Sequence, residues 1–276
     1  MKELESGSFS TKPSPCVWPI PLRAVNWNIN RGLQLDGVID FLRASSADLI
    51  LLQETDVNAR RTGRRNIPRE IAQALRMHYI FGREFEELAQ GTPGHPAYHG
   101  QTTLSRLPLS NARILRFRDQ STFWRPRWFV PPLASLQRRL GGRMALICEL
   151  TARGVTLVIY NVHIESRGND ELRIRQLSEM VTDIEQHPAD TPLLIAGDFN
   201  FDLSRGPAVS LIAGTGTDNP FASLRASRTV PKSRNGKPQG IDWMLTRRAL
   251  ATRPPAIHDS IGASDHFPLS LELRLS

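Results

Sequence analysis

Apolar and polar residues alternate along this chain in short blocks, most of them of strand length. Leu22 to Asn28 reads as a strand that ends in polar residues. Asp48 to Gln53 and Leu193 to Gly197 are nearly all apolar, the pattern of strands buried on both faces. Gly154 to His163 is another strong strand, and shorter ones are expected at Thr102–Ser105, Ile241–Leu245 and Phe267–Leu273. Residues 113–118 and 143–151 read as strands on either side of a Pro- and Trp-rich insertion. Three segments switch to helical spacing. Leu35, Val38, Ile39 and Leu42 recur at three and four residues; Asn66 to Met77 carries Pro68 near its first turn. Asn169 to Gln186 opens with a capping Asn and two acids, lines one face with Leu172, Leu177, Met180, Val181 and Ile184, and stops before Pro188. Strands outnumber helices and recur to the C-terminus, so sheets packed on one another with helices outside are expected over residues 21–276. Residues 1–20 are rich in Ser and Pro and read as a flexible N-terminal tail.

Composition narrows the class. With 40% apolar and 22% charged residues the chain is expected to be globular, and no apolar run reaches the length of a bilayer span. The two cysteines, Cys16 and Cys148, form neither a zinc pattern nor a disulfide framework. The first residues lack the apolar stretch of a signal peptide, so a cytoplasmic location is expected.

Net charge is +8, and of the 35 basic residues only four are Lys. The Arg excess fits either coding bias or a polyanionic partner. Its distribution is uneven. Arg60–Arg69 holds five Arg and no acid, residues 111–143 hold eight Arg against Asp119 alone, and Arg225–Lys237 holds five bases and no acid. Basic charge is thus gathered in loops, which favours nucleic acid as partner; the Trp and Arg mixture of residues 119–142 also suits a membrane surface.

Six strand ends carry polar clusters: Asn28; Glu54; Asn161 and His163; Asp198 and Asn200; Asp242; and Asp265 with His266. Asn, Asp and Glu oxygens suit a hard cation such as Mg²⁺ or Mn²⁺, and spare histidines suit proton transfer or neutralisation of a phosphate. Asp198 is a candidate base for an attacking water. A phosphate-cradling glycine loop is absent. His99, just before Gly100, is a weaker candidate for the same neighbourhood.

In order along the chain stand Trp27-Asn28, Leu52-Gln53-Glu54, Leu104-Ser105-Arg106, Asn161-Val162-His163, Gly197-Asp198-Phe199-Asn200, Ile241-Asp242-Trp243 and Ser264-Asp265-His266. This ordered set resembles the endonuclease/exonuclease/phosphatase superfamily, which includes deoxyribonuclease I, exonuclease III-like repair nucleases, bacterial sphingomyelinases and inositol polyphosphate 5-phosphatases. The resemblance implies an α+β, four-layer α/β/β/α sandwich, with two mostly antiparallel sheets face to face and the active site at one edge. It implies that Asn28, Glu54 and Asp265 form the main Mg²⁺ or Mn²⁺ group, with Glu54 a direct ligand. Asp198 would orient or deprotonate the water, and Asn161 and Asn200 would hold the phosphate. His266 would be the catalytic histidine with Asp242 as its partner carboxylate, and His163 the second histidine of the deoxyribonuclease I and sphingomyelinase branch. The run Asn161 to Glu165 departs from the exonuclease III branch, which argues against a dedicated abasic-site enzyme. The implied activity is metal-dependent phosphodiester hydrolysis, with nucleic acid the favoured substrate and a phospholipid or inositol phosphate the alternative.

Overall fold

The all-apolar strands are explained by burial on both faces. The computed structural model describes residues 3–10, 21–121, 123, 129–152, 154–224, 228–231, 239–251 and 253–275. One sheet contains β1 (Leu4–Ser8), β2 (Leu22–Arg31), β3 (Leu49–Val57), β4 (His78–Glu87), β5 (Tyr98–Ser105), and the short β7 (Arg139–Gly141), β12 (Ala249–Ala251) and β13 (Ala256–Ile257), with β14 (Leu269–Leu275). Its order is β1-β4-β5-β3-β2-β14-β12, with β7 on β4 and β13 on β14. The second sheet runs β11-β10-β9-β8-β6, from β6 (Ser110–Arg116), β8 (Met144–Ala152), β9 (Val155–His163), β10 (Leu193–Asp198) and β11 (Asp242–Arg247). Among the described residues only β2–β3 and β9–β10 pair in parallel; the other strand pairs are antiparallel.

Alternate residues of each strand enter different cores. Leu22, Ala24, Leu49 and Leu51 face Leu146, Cys148, Ile159, Leu194 and Met244 between the sheets. Val25, Trp27, Ile50 and Leu52 point the other way, against α1 (Leu35–Ser45) and α2 (Ile67–Leu75). On the far side Val158, Tyr160, Val162 and Ile195 pack against α3 (Asp170–Ile184) and α4 (Pro207–Gly214). This is the expected α/β/β/α sandwich. Asn66 and Asn169 cap α2 and α3 by accepting from Arg69 N and Leu172 N, the second as its position foretold.

β1, β4 and α4 escaped the sequence pattern, as did the short β7, β12 and β13. The expectation of a loose N-terminal tail fails at Leu4–Ser8, which pairs antiparallel with β4. The reason is physical: without β1 that side of β4 would be an unpaired edge. Glu5 secures the strand by accepting from Tyr79 Oη at 2.8 Å and Asn66 Nδ2 at 3.0 Å. Residues 11–20 lie outside the described residues. The strand expected at Thr102 begins earlier, at Tyr98. Among the described residues no helix is long and apolar enough to cross a membrane.

Candidate active site

Both parallel pairs end at one edge of the sandwich, and their last residues meet. Asn28 at the end of β2 donates Nδ2–H to Asp198 Oδ2 at the end of β10, 3.0 Å away. His163 ends β9 with its Nε2 3.8 Å from the same oxygen, and His266 places its own Nε2 3.8 Å from it. Three irregularities in the first sheet aim further groups at this edge. The β3–β5 register slips between Leu52 and Thr55, releasing Glu54, which takes φ +54°. The β4–β5 register slips between Arg83 and Phe85, releasing Glu84. The β2–β3 register slips between Asn28 and Arg31, leaving Asn30 and Arg31 left-handed. Bulges of this kind turn side chains out of the ladder, at a backbone cost that the surrounding structure must hold in place.

Each histidine is oriented by a carboxylate. His266 Nδ1 donates to Asp242 Oδ2 at 2.9 Å, and His163 Nδ1 to Glu84 Oε2 at 3.1 Å. The loop carrying His266 is pinned from β2: Trp27 Nε1 donates to His266 O at 2.8 Å, and Ser264 Oγ to Asn28 O at 2.7 Å. Thr229 Oγ1 accepts from Ile241 N and Asp242 N, which fixes the Asp242 end. Burial disfavours a charged His266, but Asp242 and Asp198 overrule it and raise its pKa to about 10. Burial and the neighbouring Asp242 raise the pKa of Asp198, opposed by His266, His163 and the Asn28 hydrogen bond. Asp198 therefore holds a proton more tightly than an ordinary carboxylate, a property that suits a base for water.

The other sequence-derived residues are placed as follows. Asn200 takes φ +55°, donates its backbone N–H to Asp198 Oδ1 at 2.9 Å and its Nδ2–H to Ile164 O, and lies half-buried at the edge. Asn161, expected to hold phosphate, is displaced from that role. It is fully buried between the sheets, its Oδ1 taken by Gln53 Nε2 at 2.8 Å and its Nδ2 by Leu52 O and Thr102 O. It pins β9 to β3 and β5, and a phosphate could reach it only by breaking those bonds. Among the expected metal group, Asn28 turns Nδ2 toward Asp198 while its Oδ1 accepts from Asn30 N. Glu54 lies 3.5 Å from Arg31; burial opposes its ionisation, yet Arg31, His99, His163 and Arg143 hold its carboxyl well below the usual range. Asp265 is exposed and accepts from Ser264 Oγ. A tighter donor set stands beside them: Asp198, Asp242 and His266 offer one ligand atom each, all within 4.8 Å of one another. Oxygen and imidazole donors of this kind fit a small divalent cation.

Sequence reasoning missed two fully engaged groups. Arg143, at the foot of β8, is 2% exposed; its Nη1 donates to Glu84 Oε1 at 2.6 Å and lies 2.8 Å from His163 Nε2, and its Nη2 donates to Ser166 Oγ. Glu84 is completely buried; burial opposes its charge, but Arg143 and His163 lower its pKa to about 2. Neither sits in a motif. For Glu84 the only local signal is the charged stretch Arg83 to Glu87.

A profile for the Endonuclease/Exonuclease/phosphatase family matches residues 25–266. Among solved structures, an endonuclease/exonuclease/phosphatase from Beutenbergia cavernae is similar at 17% identity and TM-score 0.65, over 93% of this chain and 72% of that one. The human Nocturnin catalytic domain with bound sulfate gives 14% identity and TM-score 0.66 over 99% and 97%. Zebrafish TDP2 complexed with a single-strand DNA product gives 17% and 0.58 over 92% and 98%. No curated protein sequence matches. At these identities the structures speak for the fold alone, whereas the profile spans nearly the whole chain with every strand-end cluster inside it: the chain belongs to the endonuclease/exonuclease/phosphatase family.

Proposed function

We propose that the protein is a divalent-metal-dependent phosphodiesterase that cleaves nucleic acid by in-line attack of water. The observation that carries the reading is Asp198: a buried carboxylate of raised proton affinity, held by Asn28 and flanked at 3.8 Å by two carboxylate-oriented histidines. Asp198 takes the proton of the attacking water. His266, kept cationic by Asp242 and Asp198, lies against an equatorial phosphate oxygen as charge builds there. His163, clamped by Glu84 and Arg143, faces the same phosphate, and Asn200 borders it. Glu54, with Asn28 and Asp265, would hold Mg²⁺ or Mn²⁺. When bound, the cation supplies Lewis-acid polarisation of the phosphoryl group and stabilises the leaving oxygen.

Nucleic acid is favoured by the basic loops. Arg60, Arg64, Arg65 and Arg69 are exposed, and a neighbour of the same fold was solved with single-strand DNA product. A specific observation supports a second reading, a phospholipid at a membrane surface: Phe123, Phe129, Leu133 and Leu136 are all at least half exposed in the insertion after β6. Incubating the protein with plasmid DNA, RNA, sphingomyelin and inositol phosphates, each with Mg²⁺, Mn²⁺ or chelator, decides between them. Cleavage of DNA or RNA that stops in EDTA and returns with metal is expected. Full activity in chelator refutes the metal requirement, and cleavage of lipid alone replaces the nuclease reading with the second one.

A further inference from the structure

A third imidazole lies on the strand between the two bulged carboxylates. β5 is flanked by β3 and β4, the strands that release Glu54 and Glu84. At that level His99 stands opposite Asp56 on β3 and Phe85 on β4. Residues opposite one another in antiparallel strands share a face of the sheet. His99 is 1% exposed and stacks on the Phe85 ring, centroids 6.4 Å apart and planes 27° from parallel.

Its mount is unusually costly. His99 Nδ1 donates to Asp56 Oδ1 at 2.8 Å, and Asp56 is completely buried. Arg61 grips Asp56 with two hydrogen bonds of 2.6 and 2.8 Å, reaches Glu87 at 3.0 Å, and Glu87 is met by Arg139 at 2.6 Å. A line of buried ions is a poor way to gain stability, since desolvation offsets most of the attraction. Here it fixes one ring in one orientation. The ring's polar contacts with the described residues, the Asp56 hydrogen bond and the Arg61 guanidinium 3.5 Å away, are both at Nδ1, leaving Nε2 with no hydrogen-bond partner among them. His99 is also one of the groups whose charge favours ionised Glu54 and Glu84, against the larger opposing effect of burial.

We propose that His99 is a substrate-contacting residue of this site, presenting Nε2 to a phosphate oxygen from the β5 wall between Glu54 and Glu84, with Asp56 and Arg61 as its positioning mount. The assignment rests on the phosphoesterase reading. It places phosphate contacts on both sheets, His163 at the end of β9 on one and His99 on β5 of the other, so that the phosphate is held across the edge of the sandwich.

Two measurements test it. With bis(p-nitrophenyl) phosphate and Mn²⁺, His99→Gln and His99→Ala are expected to raise KM about tenfold or more with a smaller change in kcat. Added imidazole should restore part of the loss in His99→Ala, and Asp56→Asn should show the same KM defect in weaker form. In parallel, inorganic phosphate titrated into metal-free, ¹⁵N-histidine-labelled wild-type protein is expected to shift the His99 Nε2 resonance, a readout that needs neither turnover nor a variant that folds. A His99→Gln enzyme with wild-type KM and kcat, or a His99 resonance unmoved by phosphate, overturns the proposal. A wild-type protein inert to every phosphoester overturns the phosphoesterase reading instead, and the phosphate titration still judges His99 by itself.

Discussion

Asp198 shows how one side chain acquires a task from its surroundings. It ends an apolar strand, so it is buried; it faces Asp242, so its proton affinity rises; it is flanked by two histidines, which partly offset that rise. Asp198→Asn and His266→Ala are each expected to lower kcat by at least ~10²-fold, the scale of losing a positioned acid–base group, with unchanged thermal unfolding. Near-normal turnover in a folded Asp198→Asn protein would remove it from the reaction. Glu54→Gln should weaken Mn²⁺ binding in a metal titration, because a neutral amide replaces a charged donor. Glu84 gives a pH prediction. Its folded pKa of about 2 lies below the ordinary value of 4.5, so its stabilising contribution is present above pH 4.5 and lost as pH falls toward 2. The shift corresponds to something on the order of 3 kcal/mol. Denaturation midpoints of wild type and Glu84→Gln should converge over that window; parallel curves would show that Glu84 is not ionised in the fold. At this scale the residues within motifs were readable, because strand ends bring unlike segments to one edge. Asn161 was misread for the same reason: its sequence position resembles that of a site residue, and only its depth between the sheets reveals a pin. Glu84 and Arg143 had no signal, since a buried ion pair made between distant strands has no local spacing.

Regularity made elements legible, and departures from it hid them. β2, β3, β9 and β10 declare themselves because both faces are apolar. β4 does not, because its buried positions include Glu84 and Glu87, charges that pair with Arg143, Arg61 and Arg139 and break the apolar pattern. β1 carries no alternation of its own and is ordered by the edge it covers. Removing the Glu5 carboxylate as Glu5→Ala should therefore cost about 1–3 kcal/mol in urea unfolding, since it strips acceptors from Tyr79 and Asn66. A loss near zero would mean that backbone pairing alone holds β1. The bulges depend on close strand contact as well. A Cβ on Gly100 would lie 2.0 Å from Gly82 O, so Gly100→Ala must push β5 from β4 where Glu84 and His99 are set. The expected result is severe destabilisation, on the order of 3 kcal/mol or more, whereas Gly154→Ala, whose Cβ would meet nothing within 4 Å, should suffer only the strain of its φ of +75°. Equal losses in the two variants would show that the close approach does not matter.

At the scale of the molecule the question is what the insertion after β6 is for. Both of its feet stand on site-bearing structure. Ser121 N donates to Glu165, Gln120 spans Phe117 O and Arg143 O, and Arg139 meets Glu87. Between the feet, Phe129 is 70% exposed and Leu133 and Leu136 about half, while Trp124, Arg125, Arg127 and Trp128 lie outside the described residues. Apolar side chains left in water on an element anchored beside a catalytic edge are a poor design for a passive loop and a reasonable one for gripping substrate. The two candidate substrates load it differently. If the arm grips nucleic acid, affinity should fall steeply with salt, and Arg125→Ala with Arg127→Ala should reduce the slope of log K against log salt by about 0.7–0.9 for each phosphate no longer neutralised. If it enters a lipid surface, the protein should bind anionic vesicles with a blue shift of Trp fluorescence that disappears in Trp124→Ala or Trp128→Ala. Under either, deleting residues 123–137 should raise KM far more than it lowers kcat, because the feet and the catalytic edge are kept while the grip is removed. A deletion that changes neither constant on any substrate cleaved would make the arm structural, and would leave Arg125 and Arg127 to be explained by coding bias.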